Sequence, residues 1–306
     1  MQPDIVALGE PMLEFNHQGG RSYLQGFGGD ASNFAIAAAR QGARVGVFTG
    51  LGDDAYGRLF MDLWRAEGVD ASRVKIDPAG FTAVYFVAHD DRGHDFSFIR
   101  AGSAASRVAP ADLPAGYIAG AGLVHFSGVS LAISASACDA CFAAADLARS
   151  AGKLVSFDTN LRLKLWPKAR ARAVILEAMA MCDVCLPSHD DMTALTGVEA
   201  PDALVDLALA RGARVVALKL GAKGTLVADA DRRHRIAPYP VTPVDATGAG
   251  DTFGGAFVAR LRAGDDLLAA GRYAAVAAAL STTGYGAVTP IPDAARVGAA
   301  LAAWTP

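Results

Sequence analysis

The stretch from residue 244 to residue 257 reads VDATGAGDTFGGAF. Small residues at 246–250 allow the backbone to approach a ligand closely, and we expect a helix to begin there. The free N–H groups at a helix N-terminus favour negative charge, so an Asp in the first turn, here Asp251, is stabilised as an anion. A phosphate cradle beside a carboxylate that can act as a base is what phosphoryl transfer to an alcohol requires.

Three other interpretations of this stretch compete with that one. Gly248, Gly250 and Gly254 form a loose dinucleotide-binding fingerprint, but such a unit needs further βαβ units after it, and only about 50 residues remain. A P-loop needs Gly-Lys-Ser/Thr after four intervening residues, and the sequence has no such match. A plain helix N-cap with glycine packing explains the stretch without any ligand.

Composition sets the broad class of the protein. The 28 Lys and Arg residues nearly balance the 31 Asp and Glu residues, and no basic stripe indicates nucleic-acid binding. The first residues lack the charged and apolar segments of a signal peptide, and no run of 18 apolar residues indicates a membrane span. We therefore expect a cytoplasmic protein that acts on a small molecule.

The four cysteines form two CxxC pairs, Cys138/Cys141 and Cys182/Cys185. A four-thiolate zinc site is one interpretation of this spacing. The 40 residues between the pairs are too many for a typical zinc ribbon, and the first pair lies in an Ala-rich helical pattern. Buried free cysteines, which behave as small apolar side chains, are the simpler interpretation.

Short apolar runs alternate with Ala- and Leu-rich helical stretches along most of the chain. The predicted strands are Ile5–Leu8, Val45–Phe48, Leu123–Phe126, Leu154–Phe157, Val184–Leu186, Val215–Leu218 and Thr225–Val227. The predicted helices lie near residues 31–41, 55–67, 134–151, 168–180, 202–211, 249–262 and 266–282. Fully apolar strands between helices are typical of a parallel sheet that is covered by helices on both faces.

Two segments, near residues 10–28 and 81–100, depart from this rhythm. Apolar side chains alternate on either side of the turn Asp90-Asp91-Arg92-Gly93, which suits a hairpin. We therefore predict one α/β domain over all 306 residues, with a mostly parallel central sheet and a small β lid formed by these two segments. Because a lid has exposed strand edges and carries apolar positions such as Phe96 and Phe98, we also predict a homodimer formed lid against lid.

Four motifs, in this order along the chain, resemble the ribokinase-type, or PfkB, family of carbohydrate kinases. They are Gly28-Gly29-Asp30-Ala31-Ser32-Asn33, Asp158-Thr159-Asn160-Leu161-Arg162, Lys219-Leu220-Gly221-Ala222-Lys223-Gly224 and the stretch quoted above. The resemblance spans nearly the whole chain. It implies a ribokinase-like fold and an enzyme that transfers a phosphoryl group from ATP to a sugar hydroxyl, with Mg²⁺ as cofactor and a monovalent cation as a possible second one.

The resemblance also implies roles for the residues at matching positions. Asp251 would be the catalytic base, and the backbone of Gly248, Ala249 and Gly250 would form the anion hole for the transferred group. The residues implied on the substrate side are Gly28, Gly29, Asn33, Tyr85, Arg100 and Arg162. Those implied on the nucleotide side are Asn160, Arg162, Lys219, Gly221 and Gly224, together with Gly248 and Gly250.

Two positions depart from the family pattern. Where the family often has Asn-x-x-Glu in a loop tied to Mg²⁺, this chain has Ser188-His189-Asp190-Asp191. Asp191 keeps a carboxylate, so indirect metal binding is expected there, and His189 is expected on the loop surface. An Asn that often lies beside adenine is replaced by Ala274.

Several segments are closer to one subfamily, the 2-keto-3-deoxygluconate kinases. They include Gly9-Glu10-Pro11-Met12-Leu13-Glu14-Phe15, Phe81-Thr82-Ala83-Val84-Tyr85 and Arg100-Ala101-Gly102-Ser103-Ala104-Ala105-Ser106. The resemblance implies that Tyr85 and Arg100 contact the substrate from the lid, with Arg100 placed to bind the carboxylate of a sugar acid. Fructokinases share several of these patterns, so a kinase for a neutral sugar is the alternative. A sugar-binding sensor without activity and a dinucleotide-dependent oxidoreductase are less favoured alternatives.

Overall fold

The computed structural model describes residues 2–90 and 93–304, and its central feature is an eight-stranded sheet. In chain order the strands are β1 (Ile5–Leu8), β2 (Met12–His17), β3 (Tyr23–Gly28), β4 (Val45–Phe48), β5 (Gly50–Gly52), β6 (Lys75–Asp77), β7 (Val84–Asp90), β8 (Gly93–Ile99), β9 (Leu123–Ser127), β10 (Leu154–Asp158), β11 (Val184–Cys185), β12 (Val215–Lys219), β13 (Thr225–Ala228) and β14 (Arg233–Ile236). The helices are α1 (Asp30–Arg40), α2 (Ala55–Ala66), α3 (Ala115–Gly120), α4 (Gly128–Ala132), α5 (Ala135–Ser150), α6 (Lys168–Met181), α7 (His189–Thr196), α8 (Pro201–Ala210), α9 (Ala249–Ala263), α10 (Leu267–Ser281) and α11 (Ala294–Ala303).

The central sheet has the strand order β14-β13-β12-β11-β10-β9-β1-β4. Six neighbouring strands, from β4 to β12, run parallel, and β13 and β14 add an antiparallel edge. The carboxyl ends of the six parallel strands therefore meet at one edge of the sheet, where an α/β fold usually binds its ligand. The predicted fold class is confirmed.

Helices cover both faces of the sheet because successive side chains of each strand are apolar. In β1, Ile5 and Ala7 join a core shared with α1, α9 and α10, whereas Val6 and Leu8 join a core shared with α5, α6 and α8. A strand that is buried on both faces reads as a continuous apolar run, which is why the sequence reveals it.

The seven strands and seven helices predicted from the sequence are all present, and no end differs by more than one residue. The prediction missed β14, whose sequence RHRI is that of a polar edge strand without an apolar run. It also missed the helices α3, α4, α7 and α11; the first three have eight residues or fewer and carry too few turns to establish a periodic pattern.

Strands β2, β3, β7 and β8 form a separate four-stranded sheet in the order β3-β2-β7-β8. Strand β2 pairs in parallel with β7, and β7 pairs antiparallel with β8, so that Tyr85 lies opposite Phe98. These strands come from the two extended segments of the sequence. The predicted hairpin turn includes Asp91 and Arg92, which lie outside the described residues. Within the described ranges, no helix combines the length and apolar character needed to cross a membrane.

A close contact between α1 and α9 sets the position of both helix N-termini. A Cβ atom at Gly255 would lie only 2.5 Å from the carbonyl oxygen of Phe34 and 2.8 Å from the Cβ of Ala37. A glycine at this position therefore lets the two helices pack backbone against backbone. This contact places the first turn of α1 beside the first turn of α9.

We predict that Gly255→Ala destabilises the protein, because the new methyl group must displace the backbone of α1. Overpacking of a dense core typically costs about 1–3 kcal/mol, and urea denaturation followed by circular dichroism measures this cost. Gly298→Ala in α11 is the matched control. No heavy atom lies within 4 Å of its new Cβ, so it should be neutral or stabilising by up to about 1 kcal/mol. Equal stability of the two variants would contradict the packing argument.

Candidate active site

A large cavity opens between the carboxyl ends of the central strands and the four-stranded sheet of β2, β3, β7 and β8, which we call the lid. Its volume is about 1430 Å³. Tyr85, Phe96 and Phe98 line it from the lid, and the loops after the central strands line the other walls. The residues predicted for the site that border this cavity are Gly28, Gly29, Asn33, Tyr85, Arg100, Asn160, Arg162, Asp191, Lys219, Gly221, Gly224, Gly248, Ala249, Gly250 and Asp251. The structure thus brings all of them to one place.

Asp251 lies in the first turn of α9, at the centre of the cavity wall. The helix begins after Gly248, whose φ of 76° belongs to the left-handed region that glycine adopts readily. The N–H groups of Gly250 and Asp251 have no hydrogen-bond partner among the described residues and are available to an anion. The N–H of Ala249, predicted to join the anion hole, instead donates to the carbonyl of Ala246 at 3.2 Å.

The carboxylate of Asp251 is half-buried and closely surrounded. Its Oδ2 accepts a hydrogen bond from Nδ2 of Asn33 at 2.9 Å. Burial, followed by the negative charge of Asp30, raises the pKa of Asp251 to about 8, while the bond from Asn33 and the charge of Lys219 act in the opposite direction. A carboxyl group with such a pKa is suited to accept a proton near neutral pH.

Asp158 and Lys219 form a buried ion pair at the end of β10 and β12. Burial raises the pKa of Asp158 and the charge of Lys219 opposes that rise. The pair lies beside the N-terminus of α9, because a Cβ at Gly250 would be 3.6 Å from Nζ of Lys219. Lys219 therefore places a positive charge next to the free N–H groups of that helix.

Asn160 has an unusual backbone conformation, and its side-chain amide is engaged within the protein. Its φ of 26° makes it the one non-glycine residue with a positive φ among the described residues. Asn tolerates this region better than most residues. Its Nδ2 donates to Oδ2 of Asp30 at 2.9 Å, so its amide is engaged at the first turn of α1. Asn160 also lines the cavity, and its contact with the nucleotide stays a prediction.

The segment from Ser188 to Asp191 is the start of α7, not a loop. Oγ of Ser188 caps the helix by accepting from the N–H of Asp191 at 3.2 Å. Oδ2 of Asp191 accepts from the N–H of Leu161 at 3.1 Å and from Oγ1 of Thr159 at 3.3 Å. The prediction that His189 is loop surface was wrong: it is half-buried in the first turn, with Nε2 at 2.7 Å from the carbonyl of Glu199.

Cation-binding groups are sparse in this site. Across residues 2–90 and 93–304, no set of three or more His, Cys, Asp and Glu side chains is arranged to hold a metal ion. Because Oδ2 of Asp191 already accepts two hydrogen bonds, this carboxylate fits a magnesium ion that is held by phosphates and water better than one held directly by the protein.

The four cysteines lie buried as free thiols, and Sγ of Cys182 donates a hydrogen bond to the carbonyl of Met179 at 3.3 Å.

Two buried carboxylates engage the predicted substrate contacts on the lid side. The hydroxyl of Tyr85 donates a short hydrogen bond to Oε2 of Glu14. Nη2 of Arg100 lies 2.6 Å from Oε2 of Glu10, whose side chain is 1% exposed, and Oε1 of Glu10 accepts from Oγ of Ser103 at 2.6 Å. Arg100 therefore lines the cavity while the carboxylate of Glu10 neutralises part of its charge.

Sequence reasoning did not single out Glu10, Glu14, Asp30 or Asp158, although each lies within a quoted motif. A signal was present in each case, because each is an acidic residue within a predominantly apolar or glycine-rich stretch. A charge in such a segment is buried and must have a partner, as charged side chains are rarely buried unless paired.

The chain is similar to known proteins in both sequence and structure. The model of the pfkB family of carbohydrate kinases matches residues 4–294. A 2-dehydro-3-deoxygluconokinase from Thermoproteus tenax is 37% identical, with 86% of this chain and 83% of that protein covered. A probable fructokinase-4 from Arabidopsis thaliana is 31% identical, with 96% of this chain and 95% of that protein covered. The crystal structure of a fructokinase from Vibrio cholerae O395 bound to fructose, ADP and calcium ion has a TM-score of 0.88 at 29% identity, covering 98% of this chain and 99% of that one.

Proposed function

We propose that this chain, which belongs to the pfkB family of carbohydrate kinases, transfers the γ-phosphoryl group of ATP to the primary hydroxyl of 2-keto-3-deoxygluconate. Family membership and the named kinase relatives make it a phosphotransferase that acts on a sugar. The sugar acid and the residue roles are our inference. The observation that carries it is the half-buried carboxylate of Asp251 at the N-terminus of α9, in a cavity lined by Lys219 and Arg162 as well as by Arg100.

The distribution of charge supports a nucleotide on one side of Asp251 and a sugar on the other. Lys219, next to the free N–H groups of α9, suits the phosphates of ATP. The loop that contains Gly221 and Gly224 lines the same cavity beyond Lys219 and leaves room for the nucleoside. Gly28, Gly29 and Asn33 lie at the start of α1, on the side of Asp251 that faces the lid.

In the proposed reaction Asp251 accepts the proton of the primary hydroxyl while the oxygen attacks the γ-phosphorus. The bond from that phosphorus to the β–γ bridging oxygen breaks, and ADP leaves. The N–H groups of Gly250 and Asp251 and the charge of Lys219 stabilise the negative charge on the transferred group. Bound Mg²⁺ would supply further charge neutralisation on the phosphates, with Asp191 holding it through water. A monovalent cation stays a prediction, as does a cytoplasmic location.

Asp251→Asn should reduce kcat by roughly 10²–10⁴-fold while ATP still binds, because positioned proton transfer contributes about that factor. The matched control is Asp139→Asn, on the exposed side of α5, which should retain full activity. A steady-state ADP-release assay measures kcat, and calorimetry measures ATP binding. Near-wild-type turnover of Asp251→Asn would show that Asp251 is not the base in this reaction.

The same assay has an expected pH dependence. The base must be ionised, and its pKa is raised to about 8, so the ionised fraction grows as pH rises towards that value. We therefore expect kcat/KM of the wild type to rise with pH below about 8 and then to level off.

Arg100 is the residue that favours a sugar acid over a neutral sugar. If the primary hydroxyl meets Asp251, the carboxylate at the other end of the molecule extends towards the lid, where Arg100 lines the cavity. The guanidinium side chain is 12% exposed, and an arginine can bind two carboxylates with different edges of its fork. Glu10 would then hold one edge and the substrate the other.

Arg100→Ala should raise the KM for 2-keto-3-deoxygluconate by about 10- to 150-fold, since a charge-assisted hydrogen bond is worth about 1.5–3 kcal/mol. The KM for ATP should hardly change. Arg107→Ala is the matched control, because this arginine is half exposed, pairs with Asp77 and does not line the cavity. Equal weakening of sugar acid and neutral sugar would contradict a role in carboxylate binding.

A fructokinase is the second candidate, and one observation favours it. The sugar side of the cavity carries the carboxylates of Asp30 and Asp251, with Glu10 and Glu14 buried behind it, whereas Arg100 is already paired with Glu10. A neutral sugar avoids the repulsion that a substrate carboxylate would meet there. An ADP-release assay with 2-keto-3-deoxygluconate and fructose ranks the two functions. A higher kcat/KM for fructose would replace our proposal with the second candidate.

We also propose that residues 1–306 act as one domain whose lid forms a homodimer. Strands β3 and β8 are the edges of the lid sheet, and Leu24 and Ile99 on them are more than half exposed. Such edges are usually covered. Light scattering at micromolar concentration should give about twice the mass of one chain, and Ile99→Asp should shift it towards the monomer. A monomeric wild type would contradict the dimer.

A further inference from the structure

The segment between α10 and α11, residues 282–293, is built of turns and bends and forms part of the cavity wall. Ala287 lines the cavity from this segment and packs on Gly248. A Cβ at Gly248 would lie 2.9 Å from the carbonyl oxygen of Ala287 and 3.0 Å from its Cβ. Because α9 begins directly after Gly248, a shift of the segment would move the free N–H groups of Gly250 and Asp251.

On the cavity side, the segment is bonded to the chain just before α9. The N–H groups of Val244 and Asp245 donate to the carbonyl of Thr282 at 2.7 and 3.1 Å. Oδ2 of Asp245 accepts from the N–H of Gly286 at 2.9 Å. These bonds join one loop to another, and such bonds do not fix either loop relative to the helices. The two loops therefore need a further anchor.

The C-terminal end of α1 supplies that anchor. Nη1 of Arg40 donates to the carbonyl oxygens of Val288, at 3.2 Å, and of Ile291. The next residue, Gln41, donates from Nε2 to the carbonyl of Pro292 at 2.8 Å. Three carbonyl groups of the segment are thus bonded to two neighbouring side chains at one end of a helix.

Glu67 fixes the direction in which Arg40 points. Its two carboxylate oxygens accept from Nε and Nη2 of Arg40 at 2.9 and 2.7 Å, which makes a bidentate pair. The remaining nitrogen, Nη1, is then turned towards the segment. The side chains of Arg40 and Glu67 are 21% and 18% exposed, so water screens this pair less than it screens an ion pair on the open surface.

We propose that Arg40 is a positioning residue for the phosphoryl donor. It holds the segment against Gly248 and so keeps the free N–H groups of α9 in the place where the phosphates of ATP bind. The inference rests on the proposed function, in which those N–H groups stabilise the transferred phosphoryl group. Arg40 itself does not line the cavity, and it lies about 15 Å from Asp30 along α1, since a helix rises 1.5 Å per residue.

This arrangement predicts an effect on one substrate and not on the other. Loss of the bonds from Arg40 frees the segment beside Gly248 but leaves the lid and the first turn of α1 in place. The affinity for ATP should therefore fall while the KM for the sugar hardly changes. A residue that merely supports the fold would lower stability without changing the affinity of the folded protein for ATP.

The first test measures ATP binding by calorimetry, without sugar, on the wild type and on Arg40→Ala and Arg40→Lys. We expect the Kd for ATP to rise about 3- to 10-fold in Arg40→Ala, as for the loss of one hydrogen bond. Arg40→Lys should recover little, because an ammonium group lacks the planar fork that binds Glu67 and the carbonyls together. Arg65→Ala is the matched control: this arginine of α2 is 75% exposed, pairs with Asp62 and should leave the Kd unchanged. An unchanged Kd in Arg40→Ala would overturn the proposal.

A second control separates positioning from stability. Leu204, in α8 on the other face of the central sheet, is fully buried, so Leu204→Ala should lower the melting temperature at least as much as Arg40→Ala does. It should nevertheless leave the Kd for ATP unchanged. A similar rise of the Kd in both variants would show that Arg40 acts through general stability and would overturn the proposal.

The second test distinguishes failure of this inference from failure of the proposed function. With any sugar that the wild type phosphorylates, Arg40→Ala should raise the KM for ATP while the KM for the sugar stays within about twofold. If the wild type phosphorylates fructose and not the sugar acid, the proposed substrate is wrong, and the same comparison is made with fructose. A wild type that does not bind ATP would overturn both. Equal rises of the two KM values in Arg40→Ala would overturn the inference alone.

Discussion

The contact between α1 and α9 is the constraint on which the site depends. Because Gly255 carries no side chain, the backbone of α9 reaches the carbonyl of Phe34, and the two helices run close together under the central sheet. Their N-termini then meet at the carboxyl edge of the parallel strands, so that Asn33 of one helix bonds Asp251 of the other. A larger separation would break this bond and leave the Asp251 carboxylate without its donor from α1.

Buried charge is the second consequence of that geometry. Burial of Asp158 and Asp251 raises the pKa of both, and each also feels the charge of Asp30. The protein offsets this repulsion with one lysine, Lys219, and with donors from Ser127, Asn33 and Asn160. Oδ1 of Asp30 and Oδ1 of Asn33 still lack a donor among the described residues, and both residues line the cavity. Each oxygen can therefore accept a hydrogen bond from a bound ligand.

The lid places aromatic and basic side chains opposite the carboxylates of Asp30, Asp158 and Asp251. Tyr85 and Phe98 pair across β7 and β8 and present aromatic rings to the cavity, while Arg100 follows at the end of β8. Glu10, between β1 and β2, and Glu14, in β2, engage Arg100 and Tyr85 from the side away from the cavity. In our proposal, the balance between the charge of Arg100 and that of Glu10 decides between a sugar acid and a neutral sugar.

The sequence by itself determined the layered fold and the position of Asp251 at a helix N-terminus. Strands buried on both faces are apolar throughout, and the run of small residues before Asp251 marks the start of a helix, so both patterns are local and readable. The sequence did not reveal β14 or the short helices α3, α4 and α7, since polar edge strands and helices of eight residues or fewer lack a clear period. Nor did it reveal the partners of Asp30, Arg100 and Asn160. Those contacts join residues up to 130 positions apart, and only the packing of the elements decides which charges meet.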